Sequence, residues 1–390
     1  MKDVYYLAAI CAVVPGLGRA KLPALIARLG GAEAVFKASA EELLAQKLVR
    51  ASQVENFVNN RNNALPELIY KFCCKNNVKL LSIFDEAYPY CLKNISDPPL
   101  ILYVKGNLPA DLCGAAVVGS RQASSYGIKA AGVFAGVLAR EGITVISGGA
   151  RGVDTAAHEA SLRVGGKTVA VLGCGLDKAY PPENLELFSR ICKQGAVISE
   201  YAPGTLPLAM NFPARNRIIV GLSAAVIVAE AARKSGAIIT ANIAADEGRD
   251  VYCVPGNIFD GTSVGCHDLI RNGAKLVDSP EDVLEDVSGW KNLLEPSATQ
   301  QDLFTIDMTI DSISKEEKRE TKPKQQEKTL PDSVSPLGRK LWELLSQGSL
   351  SMEELVEQSD TDFTAVSIEL LEMQVAGLVK VDQMQRYRRS

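Results

Sequence analysis

Residues 145–160 read VISGGARGVDTAAHEA. A short apolar run, Val145-Ile146, ends in Ser147-Gly148-Gly149; Arg151-Gly152 follow, and a small-residue stretch then opens with Asp154. Strand, glycine turn and helix in that order form the repeating unit of a parallel sheet. The predicted helix carries Val153, Ala156, Ala157, Ala160 and Val164, a stripe narrow enough to pack close to strands. Glycines let a backbone take positive φ and approach a ligand closely. A helix start adds N–H groups without partners and a partial positive charge, and Arg151 can add a charge-assisted contact. The stretch reads as a phosphate site; a tight turn with a solvated arginine is the plainer alternative.

On either side the pattern repeats. From about Lys79, short runs such as KLLSI, LILYV, AAVV, TVAVL, AAVIVAE and DVYCV alternate with helical stretches, and most are apolar throughout. Continuous apolar strands between helices predict a parallel sheet covered on both faces, a doubly wound α/β domain. Ligands in such sheets sit outside the carboxyl ends of the strands. The turns there include Gly119-Ser120-Arg121, Ser147–Gly152, Gly173-Cys174-Gly175, Ser199-Glu200-Tyr201, Arg233–Gly236 and Pro255-Gly256-Asn257. In NFPARNRIIVGLS, Pro213 suits a first helical turn, which puts Arg215, Asn216 and Arg217 near a helix start as a second anion site. Pairing of these arginines with Glu200 or Glu230 is the competing reading. Lys167 is a third candidate.

Several chemistries are excluded or weakened. GGKT is no nucleotide-triphosphate loop, because Ser161 stands where the first glycine belongs and Lys167-Thr168 opens a strand instead of a helix. Residues 148–152, G-G-A-R-G, miss the dinucleotide fingerprint. Asp154 and His158 share a helix face but no nucleophile elbow accompanies them, so a capping carboxylate and a structural histidine are expected. With two histidines and nine cysteines lacking C-x-x-C spacing, neither a metal site nor a disulfide framework is expected.

At 390 residues the chain has room for two or three domains. The net charge of −4 advertises no global field for nucleic acid. Between Arg121 and Lys275, however, 16 Lys+Arg stand against 13 Asp+Glu, a local excess of three. The apolar run near the N-terminus is too short to span a bilayer, and Asp3 spoils a secretion signal, so a cytoplasmic protein is expected. Aromatics are 6% of residues, too few for extensive base stacking; Phe212 beside the arginines is the one to test.

The flanks differ. Residues 1–75 read as all-helical, with a capping box at Ser39/Glu42 and a Pro15-Gly16-Leu17-Gly18 turn flanked by Arg19 and Lys21. Residues 291–333 are a polar linker, and 334–390 a small domain: two amphipathic helices, the second opening with a Ser351/Glu354 capping box, then a third helix and a two-stranded wing. Residues 351–376 hold seven acids and no base, which suits a protein contact better than a DNA groove. The wing carries Arg386, Arg388 and Arg389.

VVGSRQASSYG, SGGARGVDTAAH, GKTVAVLGCGLDKAYPPEN, ISEY, FPARNRIIVGLS, SGAIITANIAADEGRDVYCVPG and GCHDLIRNGA together resemble the DNA-processing protein A (DprA/Smf) family. The resemblance implies an α/β fold: an extended Rossmann-like doubly wound sheet over residues 76–290, an N-terminal helix–hairpin–helix or SAM-like domain and a C-terminal winged helix. It implies a homodimer without catalysis or cofactor that binds single-stranded DNA, protects incoming strands in natural transformation and loads the RecA-type recombinase. By matching motif positions it implies DNA contacts at Gly119, Ser120, Arg121, Ser147, Gly148, Gly149, Arg151, Gly152, Lys167, Arg215, Asn216 and Arg217. Backbone contacts of this kind carry no base information, so binding should tolerate sequence and weaken with salt. The alternative is a nucleotide-processing Rossmann hydrolase of the lysine decarboxylase-like group, whose P-G-G-x-G-T-x-x-E turn is only approximated by PGNIFDGTSVG at 255–265.

Overall fold

The structure, a computed structural model, describes residues 2–14 and 21–290 and, further on, 335–345, 350, 352–359, 361, 366, 369–370, 373, 378–381 and 387–389. The chain divides into two compact units, Met1–Leu303 and Phe304–Ser390. The Pro15–Gly18 turn, the 291–333 linker, Ser351 and Arg386 lie outside the described residues.

Among the described residues the first unit opens with six helices: α1 (Asp3–Val13), α2 (Leu22–Leu29), α3 (Ala32–Lys37), α4 (Ala40–Ala45), α5 (Ala51–Asn60) and α6 (Leu65–Asn76). The expected capping box starts α4: the Glu42 amide donates to the Ser39 hydroxyl at 3.2 Å, and the Ser39 amide to the Glu42 carboxylate at 2.7 Å. Asp3 caps α3 from across the bundle, accepting from the amides of Ala32 at 2.8 Å and Glu33 at 2.7 Å. The residues these helices bury (Leu7, Ile10, Leu25, Phe36) belong to one continuous core with Ile101, Leu102, Tyr103 and Val104 of the sheet.

That sheet has nine strands: β1 (Lys79–Ser82), β2 (Ile101–Gly106), β3 (Gly114–Gly119), β4 (Val145–Ser147), β5 (Thr168–Val171), β6 (Ala196–Ser199), β7 (Ser223–Glu230), β8 (Asp250–Cys253) and β9 (Lys275–Leu276). Their order is β1-β2-β6-β5-β4-β3-β7-β8-β9. From β3 to β9 all pairings are parallel, as the apolar runs predict. KLLSI and LILYV depart from that reading: β1 is antiparallel to β2, and β2 to β6. Ile101–Val104 are buried even so, because the N-terminal helices cover the extension, and a strand covered on both faces reads apolar in either direction.

One face is covered by α8 (Ser125–Arg140), α9 (Val153–Arg163) and α10 (Leu185–Gln194). The small stripe predicted on α9 sits there, with Val153, Ala157 and Ala160 buried. A Cβ added at Gly132 or Gly136 of α8 would already lie 3.9 Å from the Ala160 Cβ. The other face carries α7 (Tyr90–Lys93), α11 (Asn211–Gly221), α12 (Gly236–Asp246) and α13 (Val264–Arg271); α14 (Glu281–Leu284) and α15 (Val287–Trp290) end the described part of this unit.

In the second unit, α16 (Pro336–Leu344) is capped by the Ser335 hydroxyl, which accepts from the Gly338 amide at 2.9 Å. It is followed by α17 (Met352–Ser359), and β10 (Val379–Val381) pairs antiparallel with β11 (Tyr387–Arg389). Leu341, Leu355, Leu370 and Val379 share its core, giving helices and a two-stranded wing as expected. Of the predicted acidic stretch and third helix only scattered residues are described, and the side chains of Arg388 and Arg389 are outside the described set.

Candidate nucleic-acid interface

The strand order reverses at β3: β4, β5 and β6 step away on one side, and β7 and β8 on the other. Open α/β sheets bind ligands outside the carboxyl ends at such a point. Gly119-Ser120-Arg121, Ser147–Gly152 and the first turn of α11 all lie at that edge. Lys167 does not. It precedes β5, where its carbonyl accepts from the Val145 amide at 3.1 Å, so it stands exposed at the opposite, amino edge of the sheet. The motif match had placed it with the others; the direction of β5 separates it.

The first two turns are locked together by a glycine. Gly152 has φ +75°, and a Cβ there would lie 2.3 Å from the Ser120 carbonyl oxygen. This contact lets the Val153 amide donate to the same oxygen at 3.2 Å. Asn184, buried in the YPPEN segment, donates to the Gly149 carbonyl at 3.0 Å and to the Thr155 hydroxyl at 2.9 Å. The Thr155 amide is itself committed to Ala150 at 3.1 Å. At the start of α9 the Val153 and Thr155 amides are thus spent inside the protein and are not left for a phosphate.

An internal ion fills the space beneath the glycines. The buried Asp154 carboxylate turns back to accept from the Ala150 amide at 3.1 Å, holding the turn instead of capping the helix. Beside it Arg215 is 4% exposed and donates to the Gly148 carbonyl at 2.8 Å and to the Val171 carbonyl. A Cβ at Gly148 would lie 2.6 Å from one guanidinium nitrogen of Arg215 and 2.7 Å from an oxygen of Asp154. Burial pushes the Arg215 guanidinium down to about 10, with Asp154 opposing the shift; burial raises the Asp154 carboxyl, with Arg215 opposing. The Asn216 side-chain oxygen accepts from Arg215 at 3.3 Å, and Asn216 is buried too.

Arg217 is also engaged. It grips Glu200 through two bonds, 2.9 and 2.7 Å, and Asp97 through a third at 2.9 Å. Of the two readings offered by the sequence, pairing with Glu200 is the one the structure takes. Glu230, the other named partner, accepts instead from the Ser124 amide at 2.9 Å and from its hydroxyl. The arginine pair on α11 is therefore a framework for the edge and does not face outward as an anion site.

Arg121 and Arg151 do face outward. The Arg121 guanidinium is exposed, lies 4.8 Å from the centroid of the Phe212 ring, and makes no ion pair among the described residues. Phe212 in turn packs on Tyr180, ring centroids 5.4 Å apart. A Cβ at Gly173 would lie 3.0 Å from the Phe212 ring, so that glycine gives the ring its seat. Arg151 is exposed and forms a two-bond pair with exposed Glu183. The arrangement offers a guanidinium stacked on a half-buried ring, with N–H groups left for a phosphate and an aromatic edge for a base. Tyr180 escaped the sequence reading; its signal was position alone, a short turn beyond the Gly173-Cys174-Gly175 strand end.

His158 has no part in this surface. It is fully buried; the Thr168 hydroxyl donates to the Val145 carbonyl at 2.7 Å and so accepts from His158 Nδ1, also at 2.7 Å. Burial pushes its imidazole down to about 3, so the ring is neutral, as a structural histidine should be.

The family described as DNA recombination-mediator protein A matches residues 79–288, and the DprA winged helix domain matches residues 324–382. The DNA processing protein DprA of Streptococcus pneumoniae is 51% identical over 208 residues, 53% of this chain and 73% of that one. Protein Smf of Synechocystis is 34% identical over 345 residues, 86% of each chain. The X-ray structure of the Streptococcus pneumoniae protein superposes with a TM-score of 0.63 at 38% identity, covering 73% of this chain and 98% of the other. Among the described residues no helix is long and apolar enough to cross a membrane.

Proposed function

Because the chain belongs to the DNA recombination-mediator protein A family, we propose that the carboxyl edge of its sheet grips the backbone of single-stranded DNA, with Arg121 and Phe212 as the centre of the grip. One observation carries the reading: an exposed guanidinium without a carboxylate partner, stacked on a ring at the switch point of the sheet. Gly119 and Ser120 set the turn that presents Arg121, Ser147–Gly152 buttress it, and Arg151 joins once phosphate displaces Glu183. Arg215, Asn216 and Arg217 hold the α11 turn that carries Phe212. Lys167, on the far edge, is left for a strand that wraps around the sheet.

The strand so held is protected and handed to a RecA-type recombinase during transformation and recombination. The reading includes a homodimer in the cytoplasm and no catalysis: the Asp154 carboxylate is buried and holds the glycine turn, and His158 is buried against Thr168 of β5. The deciding experiment is fluorescence anisotropy of labelled single-stranded and duplex DNA at rising salt, for the native chain and Arg121→Ala. Preference for the single strand, a linear fall of log affinity with log salt, and loss on substitution support the reading. Equal affinity of both proteins would end it.

A further inference from the structure

The sheet edge has a second opening that the strand-binding surface does not use. A cavity of about 430 Å³ lies between the start of α8 and the loop that follows β8; Ser124, Tyr126, Asn257, Asp260, Thr262 and Ser263 are among its lining residues. Because β7 stands between β3 and β8, the cavity sits outside the carboxyl end of β7. This is the PGNIFDGTSVG segment. Its volume is in the range of small-molecule sites.

The loop is held at its ends. Tyr126 donates its hydroxyl to the Pro255 carbonyl at 2.5 Å, and the His267 ring meets the Gly256 backbone at 3.1 to 3.3 Å. Gly256 is obligatory, since a Cβ would lie 2.0 Å from the Ser263 hydroxyl oxygen. Ser263 is 1% exposed, yet its hydroxyl lines the cavity and has no hydrogen-bond partner among the described residues. That hydroxyl opens onto the cavity, where a polar group of a ligand can take the place of water as its hydrogen-bond partner. No lysine or arginine is among the lining residues, whereas the Asp260 carboxylate is, with buried Glu230 behind Ser124. Such a wall accepts hydroxyls and repels phosphate. Between the lining residues Asn257 and Asp260 in the chain, Ile258 and Phe259 stand 71% and 88% exposed, apolar side chains in reach of a ligand by sequence position.

We infer that this cavity binds a nucleoside with a free 3′-hydroxyl, its sugar on Asp260, Thr262 and Ser263 and its base against Phe259. An internal nucleotide is disfavoured because it would bring two phosphodiesters to Asp260. Two sources present the required group, a free nucleoside and the 3′ end of a bound strand. Only the second rests on the function proposed above.

Calorimetric titration of the full chain with deoxyadenosine tests the first source. Saturable binding with a dissociation constant of about 1 mM or tighter is expected, weakened roughly tenfold by Asp260→Asn and unchanged by Arg121→Ala. Anisotropy with oligonucleotides ending in 3′-hydroxyl or 3′-phosphate tests the second. There the phosphate should weaken binding to the native chain and make no difference to Asp260→Asn. Ser263→Ala, which leaves the backbone alone, should reproduce the loss in whichever arm responds. Absence of nucleoside binding together with indifference to the 3′ end overturns the inference, as does nucleoside binding that Asp260→Asn leaves intact. Loss of strand binding alone, with nucleoside binding preserved, would count against the function and not against this site.

Discussion

The Arg121 guanidinium lies 4.8 Å from the centre of the Phe212 ring; one residue follows β3, where the strand order reverses, and the other stands on α11, which links β6 to β7 across that point. A planar cation on a ring is oriented without being neutralised. Arg121→Ala should lower single-strand affinity about tenfold for every sequence tested and flatten the salt slope by about 0.7. Arg121→Lys should keep most of the slope and lose part of the affinity. Anisotropy titrations between low and moderate salt read both.

Phe212→Ala removes the ring and frees the guanidinium to wander. The expected loss is about 1–3 kcal/mol of binding, larger for purine-rich strands that stack well. A loss independent of base composition would assign Phe212 to positioning Arg121 alone.

In the proposed grip a DNA phosphate has to displace Glu183 from Arg151. Glu183→Gln should therefore strengthen strand binding severalfold and steepen its salt dependence, whereas Arg151→Ala should weaken it. Both side chains are exposed, so the thermal midpoint should barely move in either variant.

Arg215 and Asp154 lie buried beneath the glycine turn, neighbours of opposite charge without a direct hydrogen bond. Arg215→Leu leaves the carboxyl without its cation, at a cost of about 3–5 kcal/mol in urea unfolding. Adding Asp154→Asn should recover a large part of that cost. A single variant as stable as the native chain would show that the couple holds nothing in place.

His158 gives a pH signature. Its folded value, about 3, lies below the ordinary 6.5, so the unfolded chain binds the extra proton in between. Stability is then full above about pH 6.5 and falls as the pH drops, by about 2 kcal/mol on reaching about pH 5. His158→Gln should flatten the thermal midpoint over that window.

The sequence disclosed most where one pattern had one physical cause. Apolar runs between helices read as covered strands, and the parallel strands β3 to β8 follow them, whereas exposed Lys275-Leu276, β9, carried no such run. LILYV misled on direction because burial on both faces, not parallel pairing, erases alternation. At the site, glycine and arginine spacing located the edge correctly. It could not tell a carboxylate supplied by the chain from a phosphate supplied by a ligand. Asp154 fills the place drawn for the phosphate, and Arg215 and Arg217 are consumed by groups distant in sequence: Gly148, Val171, Asp97 and Glu200. Phe212 was visible as a neighbour of arginines, but its partnership with Arg121 depends on folding across 91 positions, 212 less 121.

The first six helices share a single interior with β1 and β2. They are thus a roof and not an appendage. Cutting the chain just before Lys79 would leave the apolar wall of Ile101–Val104 wet, and the remaining sheet would be expected to clump or to recruit a substitute cover. Any division of labour between the helices and the carboxyl edge of the sheet must therefore operate across one shared core, so a blow to the roof should be felt at the proposed grip.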